Sequence, residues 1–273
     1  MIRAVPEQEM NSAAPSPAEE NPAAAPLVLI PVSAEDFARR KKRIVRACIA
    51  AAVTAMLLIG YVYKRSVDPI HAQESFDAGV RFLNVARYGQ AILSFDRAVA
   101  LKPDLADAYY FRAKAYVSEA DNEHAIQDFS KLIELRPQDA RGFLGRCARY
   151  QEQKNFAATI ADCSRALALD PRLAEAYNLR GMATRDSGNA GAAIADFTRA
   201  VELAPDTDNY YQRGATYQLL GEHQLAIADL DQVIASVPSE SQAYFARAES
   251  RRAVGDVKGA EADHTHGRIL DGR

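Results

Sequence analysis

Five aspartates, Asp128, Asp162, Asp196, Asp229 and Asp263, recur at intervals of 34, 34, 33 and 34 residues. An arginine stands 16 residues before each: Arg112, Arg146, Arg180, Arg213 and Arg247. In AIADFTRAVELAP, residues 193–205, Asp196 follows Ala193 by three residues and precedes Ala200 by four. On a helix that places the carboxylate on or against an apolar stripe. Such a group acts either as a catalytic or ligand-binding carboxylate or as half of a buried ion pair. A catalytic group does not normally repeat along a chain, whereas a structural pair does. One stretch upstream carries Ala78 and Ser94 in the two places, so Arg and Asp are present or absent together. The pattern predicts a structural Arg–Asp pair.

Other reactive residues form no constellation. The cysteines Cys48, Cys147 and Cys163 make no CxxC pair, which leaves zinc-ribbon and redox-motif readings without support. His264 and His266 are two apart on a predicted helix and point apart, so no metal site is expected there. The sequence holds no GxGxxG, Walker loop, GxSxG or HExxH. No catalytic residue, metal or cofactor is expected, and an enzyme is disfavoured. A formal net charge of −3 over 273 residues gives no bias toward nucleic acid.

The elements that position the pairs are repeated. Ala91, Phe95, Ala98 and Pro103 align with Ala125, Phe129, Leu132 and Pro137 at an offset of 34 residues. The sets beginning at Thr159, Ala193 and Ala226 follow at offsets of 34, 34 and 33, and a last copy from Ala260 fades. Before each set from Ala125 onward stands an aromatic, an Arg three residues on, then a small residue, as in YYFRAKAY at 109 and YYQRGATY at 210. Each unit reads as two helices of about 13 residues with apolar stripes, the second ended by proline. No pair covers its own apolar face, so the pairs must stack.

This pattern resembles the tetratricopeptide repeat, a 34-residue helix pair with an aromatic near position 4, small residues at 8, 20 and 27, Tyr at 11, Phe at 24 and Pro at 32. The resemblance covers about residues 72–270, in six units starting near 72, 106, 140, 174, 207 and 241. It implies an all-α fold, a right-handed superhelical solenoid with a concave side. Thr184, Cys163, His264 and Gly267 depart from the pattern locally, and the last helix reads as a polar cap. With positions 8 and 24 facing across a pair, and 11 facing 20, facing positions sum to about 31, which brings the Arg at 7 near the Asp at 23 of its own unit. Cys147 and Cys163 take the facing positions 8 and 24 of one unit. They read as a disulfide in an oxidising compartment or as two small core residues.

The resemblance also implies that peptides bind along the concave groove, through first-helix positions 2, 5, 9 and 12. At positions 5 and 9 this chain offers Phe76, Val80, Tyr110, Lys114, Leu144, Asn178, Met182, Tyr211 and Phe245. They read as an exposed ladder for an extended or helical peptide, or as ordinary core between helices. The Lys and Asn clamp of the co-chaperone subgroup is missing: Phe76 with Val80 and Tyr110 with Lys114 stand in its place.

The N-terminal third is different. Residues 1–38 hold six of the twelve prolines and read as a disordered Pro/Ala-rich tail. Residues 39–65 are a basic flank and an apolar run. Its 20 residues from Ile44 to Tyr63 give about 30 Å of helix, enough to cross a bilayer once. Lys64 and Arg65 follow, where a signal peptide would offer a small-residue cleavage site. Five basic residues precede the span, a sixth, Arg46, snorkels at its start and two follow it, which predicts a cytoplasmic N-terminus and repeats on the far side, the periplasm in a bacterium. Residues 66–71 read as a linker and 72–273 as the repeat domain. The expectation is a membrane-tethered adaptor or scaffold for proteins or peptides, in envelope assembly or secretion. The alternative is a structural subunit that self-associates or packs permanently in a membrane complex.

Overall fold

The structure, a computed structural model, describes residues 33–272. Among the described residues every regular element is a helix: α1 (Ala34–Asn84), α2 (Tyr88–Leu101), α3 (Ala106–Ser118), α4 (Asn122–Leu135), α5 (Ala140–Glu152), α6 (Phe156–Leu169), α7 (Ala174–Asp186), α8 (Ala190–Leu203), α9 (Thr207–Leu219), α10 (His223–Ser236), α11 (Ser241–Ala253) and α12 (Val257–Leu270). The chain divides into two units, Met1–Gly60 and Tyr61–Arg273.

In the first unit, the Ser33 hydroxyl accepts the Asp36 N–H at 3.1 Å and donates to the Asp36 carboxylate at 2.9 Å, a reciprocal cap that starts α1. Every described residue from Ser33 to Gly60 is exposed, and an 18-residue window of α1 reaches a mean hydropathy of 2.0. By length and composition this helix is able to cross a membrane. The Thr54 hydroxyl donates to the Ala50 and Ala51 carbonyls at 3.0 and 2.8 Å, so it needs no partner outside the helix.

Two boundaries differ from the sequence reading. The tail expected to run to residue 38 gives way to helix at Ala34, past the last proline of the tail, where Glu35 and Asp36 suit a helix N-terminus. The rest of that tail, residues 1–32, lies outside the described residues. The linker expected at 66–71 is also helical, because α1 continues through Pro69. A proline removes one N–H from the ladder, a local loss that helix formers on both sides outlast here.

In the second unit, the C-terminal part of α1 pairs with α2 to make the first repeat, and five further pairs follow in order. Four of the six second helices start at side-chain caps: Asp121 accepts from His124 N–H, Asn155 from Ala158, Asn189 from Ala192 and Asp256 from Gly259. They stop two residues before Pro103, Pro137, Pro171, Pro205 and Pro238. The turn inside each unit passes through one left-handed residue: Ala86, Ala120, Lys154, Gly188, Gly221 and Gly255, with φ between 56 and 97°. The single-residue slip of the fourth unit falls in the turn 204–206, which has three residues where 136–139 has four.

Each pair buries an alanine or threonine of its second helix (Ala91, Ala125, Thr159, Ala193, Ala226, Ala260) against the first. Gly181 shows why small residues face them: a Cβ there would sit 2.8 Å from the Phe197 ring. Beyond the contacts of each helix with the next, first helices of successive repeats touch: α5 with α7, α7 with α9, α9 with α11. Among the described residues the second helices make no comparable set. The first-helix side is therefore the shorter, inner side of a solenoid, and its residues line the concave surface.

Candidate protein-binding groove

The structure brings every Arg to the Asp of its own unit. Arg112 donates through Nε and Nη2 to both Asp128 oxygens at 2.8 and 2.6 Å, and Arg180 to Asp196 at 2.9 and 2.7 Å. Arg146 with Asp162, Arg213 with Asp229 and Arg247 with Asp263 have the same two-pronged geometry at 2.6–2.9 Å. In four repeats Nη1 also reaches back to the preceding repeat: Arg112 to Asp96 (2.6 Å), Arg146 to Ser130 (3.0 Å), Arg180 to Ser164 (3.2 Å) and Arg247 to Asp231 (2.6 Å). Each such guanidinium ties the helices of its own pair and the previous pair together. Hydrogen bonds to these carboxylates hold Arg146, Arg180 and Arg213 more firmly charged than usual. Burial pushes the Asp128 carboxyl up, and the opposing pull of Arg112 does not fully offset it. Cys147 and Cys163 form a disulfide between α5 and α6, with Cα atoms 5.5 Å apart, inside the third repeat's core.

The nine expected groove residues divide. Tyr110, Leu144, Met182, Tyr211 and Phe245 are half-buried on first helices, and Lys114 is exposed. Phe76 and Val80 lean into the first repeat's core, where Phe76 lies 5.9 Å from Phe95 and 5.7 Å from Phe111 between ring centroids. Asn178 is only 5% exposed. Its amide donates to Asn209 at 2.6 Å and Asp208 at 2.9 Å, and Asn209 in turn donates to the Ala204 carbonyl at 2.8 Å. Asn178 is thus committed to the joint between the fourth and fifth repeats, the core alternative of its two readings, while still bordering a cavity.

Three cavities open on the same side. One of about 260 Å³ is lined by Tyr110, Lys114, Phe129, Leu144, Gly145 and Arg149, among others. The second, about 450 Å³, includes Glu175, Asn178, Met182 and Asp208; the third, about 630 Å³, includes Arg185, Tyr211, Gln218 and Glu249. Arg141, Gly145, Arg149 and Glu175 were not singled out by sequence reasoning. The signal for Arg141 and Glu175 was their place at position 2 of a first helix. Gly145 opens the cavity floor, since a Cβ there would overlap the Phe129 ring. The Arg141 guanidinium covers the Tyr110 ring at 4.6 Å. His264 and His266 rest on Phe245 and Tyr244, at 5.5 and 4.5 Å between rings. Among the described residues no three His, Cys, Asp or Glu side chains cluster as metal ligands.

Family models described as tetratricopeptide repeat match residues 106–139, 147–209 and 207–238. No curated protein matches the sequence. Among solved structures, a MamA protein is similar at 23% identity and TM-score 0.56, over 61% of this chain and 91% of that one. YrrB, described as a TPR protein with an unusual peptide-binding site, is similar at 22% identity and TM-score 0.54, over 62% and 88%. Pseudomonas aeruginosa pilF is similar at 15% identity and TM-score 0.65, over 74% and 93%. At these identities the likeness is one of fold.

Proposed function

Because the chain belongs to the tetratricopeptide repeat family, we propose that it is a membrane-tethered adaptor whose concave groove binds peptide segments of partner proteins. Proteins of this fold act generally as interaction scaffolds without catalytic sites. The observation that carries the reading is the run of half-exposed aromatic and apolar side chains on successive first helices, with three cavities between them. The apolar part of α1 is the tether, and the basic block before it keeps the N-terminus cytoplasmic. The repeats then work across the membrane, in the periplasm of a bacterium, where a Cys147–Cys163 bond persists. Envelope assembly or secretion is a process such a tether would serve.

A photoreactive residue at Tyr211, crosslinked in cells, tests the adaptor. Recovery of a distinct partner protein is expected, and recovery of nothing or of this chain alone counts against it. A reporter fused after Arg273 tests the orientation, and a cytoplasmic signal overturns it. The self-associating reading draws on exposed Leu219, Leu220, Leu225, Val254 and Val257 at the turns of the last two repeats. A stable oligomer that fills the groove would favour it.

A further inference from the structure

The groove is not uniform, and one cavity is lined by a lysine that forms no ion pair among the described residues. The 260 Å³ cavity between the second and third repeats has an apolar floor of Phe129, Val117, Leu144 and Gly145. Its cations are Arg141, Arg149 and Lys114. Arg141 is occupied by Asp139 (2.6 Å) and Asp107 (3.0 Å), and Arg149 by Glu152 (2.7 Å) and Asn122 (3.2 Å). Lys114 has no ion-pair partner among the described residues; its ammonium lies 5.9 Å from the Tyr110 ring centroid. The Arg149 Nε is buried and donates to nothing. An unpaired cation lining a largely apolar cavity is complementary to a carboxylate attached to an apolar group.

Resting on the groove reading, we propose that this cavity takes one apolar side chain of a partner peptide, with an adjacent Asp or Glu side chain paired to Lys114. Two features narrow the partner. Lys114 is a single point charge, suited to one side-chain carboxylate, and the two arginines that would complete a wider anion site are already paired. Glu175 lines the cavity from the fourth repeat, so a second acidic residue on that side is repelled and a run of acids is disfavoured. The recognised element is therefore an apolar residue flanked by one acid, inside a chain.

The test uses the full chain in lipid nanodiscs and an array of terminally blocked decapeptides in which a Leu or Phe neighbours Asp, Asn or Lys. Asp peptides should bind roughly tenfold or more tightly than their Asn counterparts, and tighter still than Lys peptides. Lys114→Gln should erase the Asp over Asn preference, and Lys114→Glu should turn it toward Lys. Lys114 is exposed, so both variants should melt like the wild type. An Asp preference that survives Lys114→Gln overturns the assignment. Peptide binding without acid preference, weakened by Tyr211→Ala and not by Lys114→Gln, overturns this site while the groove reading stands. Failure of every peptide to bind overturns both.

Discussion

Removing Arg112 should cost more than removing the aspartate it holds. Arg112 donates two hydrogen bonds to Asp128 and one to Asp96. The Asp128 side chain is 6% exposed and that of Asp96 45%. In Arg112→Ala, Asp96 turns to water, but Asp128 stays in the interface without a cation. Stranding one member of a buried pair costs about 3–5 kcal/mol. In Asp128→Ala, the guanidinium loses two charge-assisted bonds but keeps Asp96 at 2.6 Å and the Tyr109 ring at 5.4 Å. Taken as one two-pronged contact to a guanidinium that stays paired, that loss is about 1.5–3 kcal/mol. The double variant has no stranded carboxylate, so it should unfold little more easily than Arg112→Ala alone, a coupling of about 2 kcal/mol.

Urea titration of the full chain in mild detergent, followed by circular dichroism, reads the three losses. A pH series adds an independent check. A carboxyl whose folded pKa lies above its unfolded value adds stability at low pH and loses it as pH rises through that folded pKa. Burial already places Asp128 in this class, and without Arg112 the effect grows. The gap between wild type and Arg112→Ala should therefore narrow on acidification. Losses that add to within about 0.5 kcal/mol, or an Asp128→Ala loss as large as that of Arg112→Ala, would refute the reasoning.

The remaining expectations are simpler. Ala120 and Lys154 sit at φ 58 and 56°, where their repeats' counterparts include three glycines, so Ala120→Gly and Lys154→Gly should each stabilise by about 0.5–1 kcal/mol in the same titration. The Cys147–Cys163 bond closes a loop of sequence separation 16, and Cys147→Ala with Cys163→Ala should cost about 3 kcal/mol; unchanged stability under oxidising conditions would show the bond absent in solution. Asp139 is held below the ordinary carboxylate range, chiefly by hydrogen bonds from Arg141, so its contribution is present above that range and lost as pH falls through its folded value. Asp139→Asn, which keeps the cap on Arg141 N–H, should lower the melting temperature at neutral pH and leave it unchanged in strong acid.

What the sequence could convey follows from what each feature depends on. The helix pairs and the Arg–Asp spacing were legible because stacking imposes the same demand in every unit, so the residues recur in phase. The third arm of four of the five arginines was hidden, since its partner is Asp96, Ser130, Ser164 or Asp231, and mixed chemistry leaves no periodic mark. Half of the left-handed turn residues announce themselves as glycine; Ala86, Ala120 and Lys154 adopt the same conformation against their own preference because the helices on both sides dictate it. Pro69 reads as a breaker, yet one missing donor does not end a helix of 51 residues. Asn178 is the sharpest case. Its neighbour Asn209 caps the Ala204 carbonyl next to the shortened turn 204–206, so the one-residue slip and the buried amide belong to a single local arrangement. A position that the repeat register assigns to the groove is held in the joint by Asn209, which stands three residues after the shortened turn. The Asn178 amide is therefore spent on the joint between repeats, whereas Lys114, two repeats earlier, keeps its ammonium unpaired at the groove.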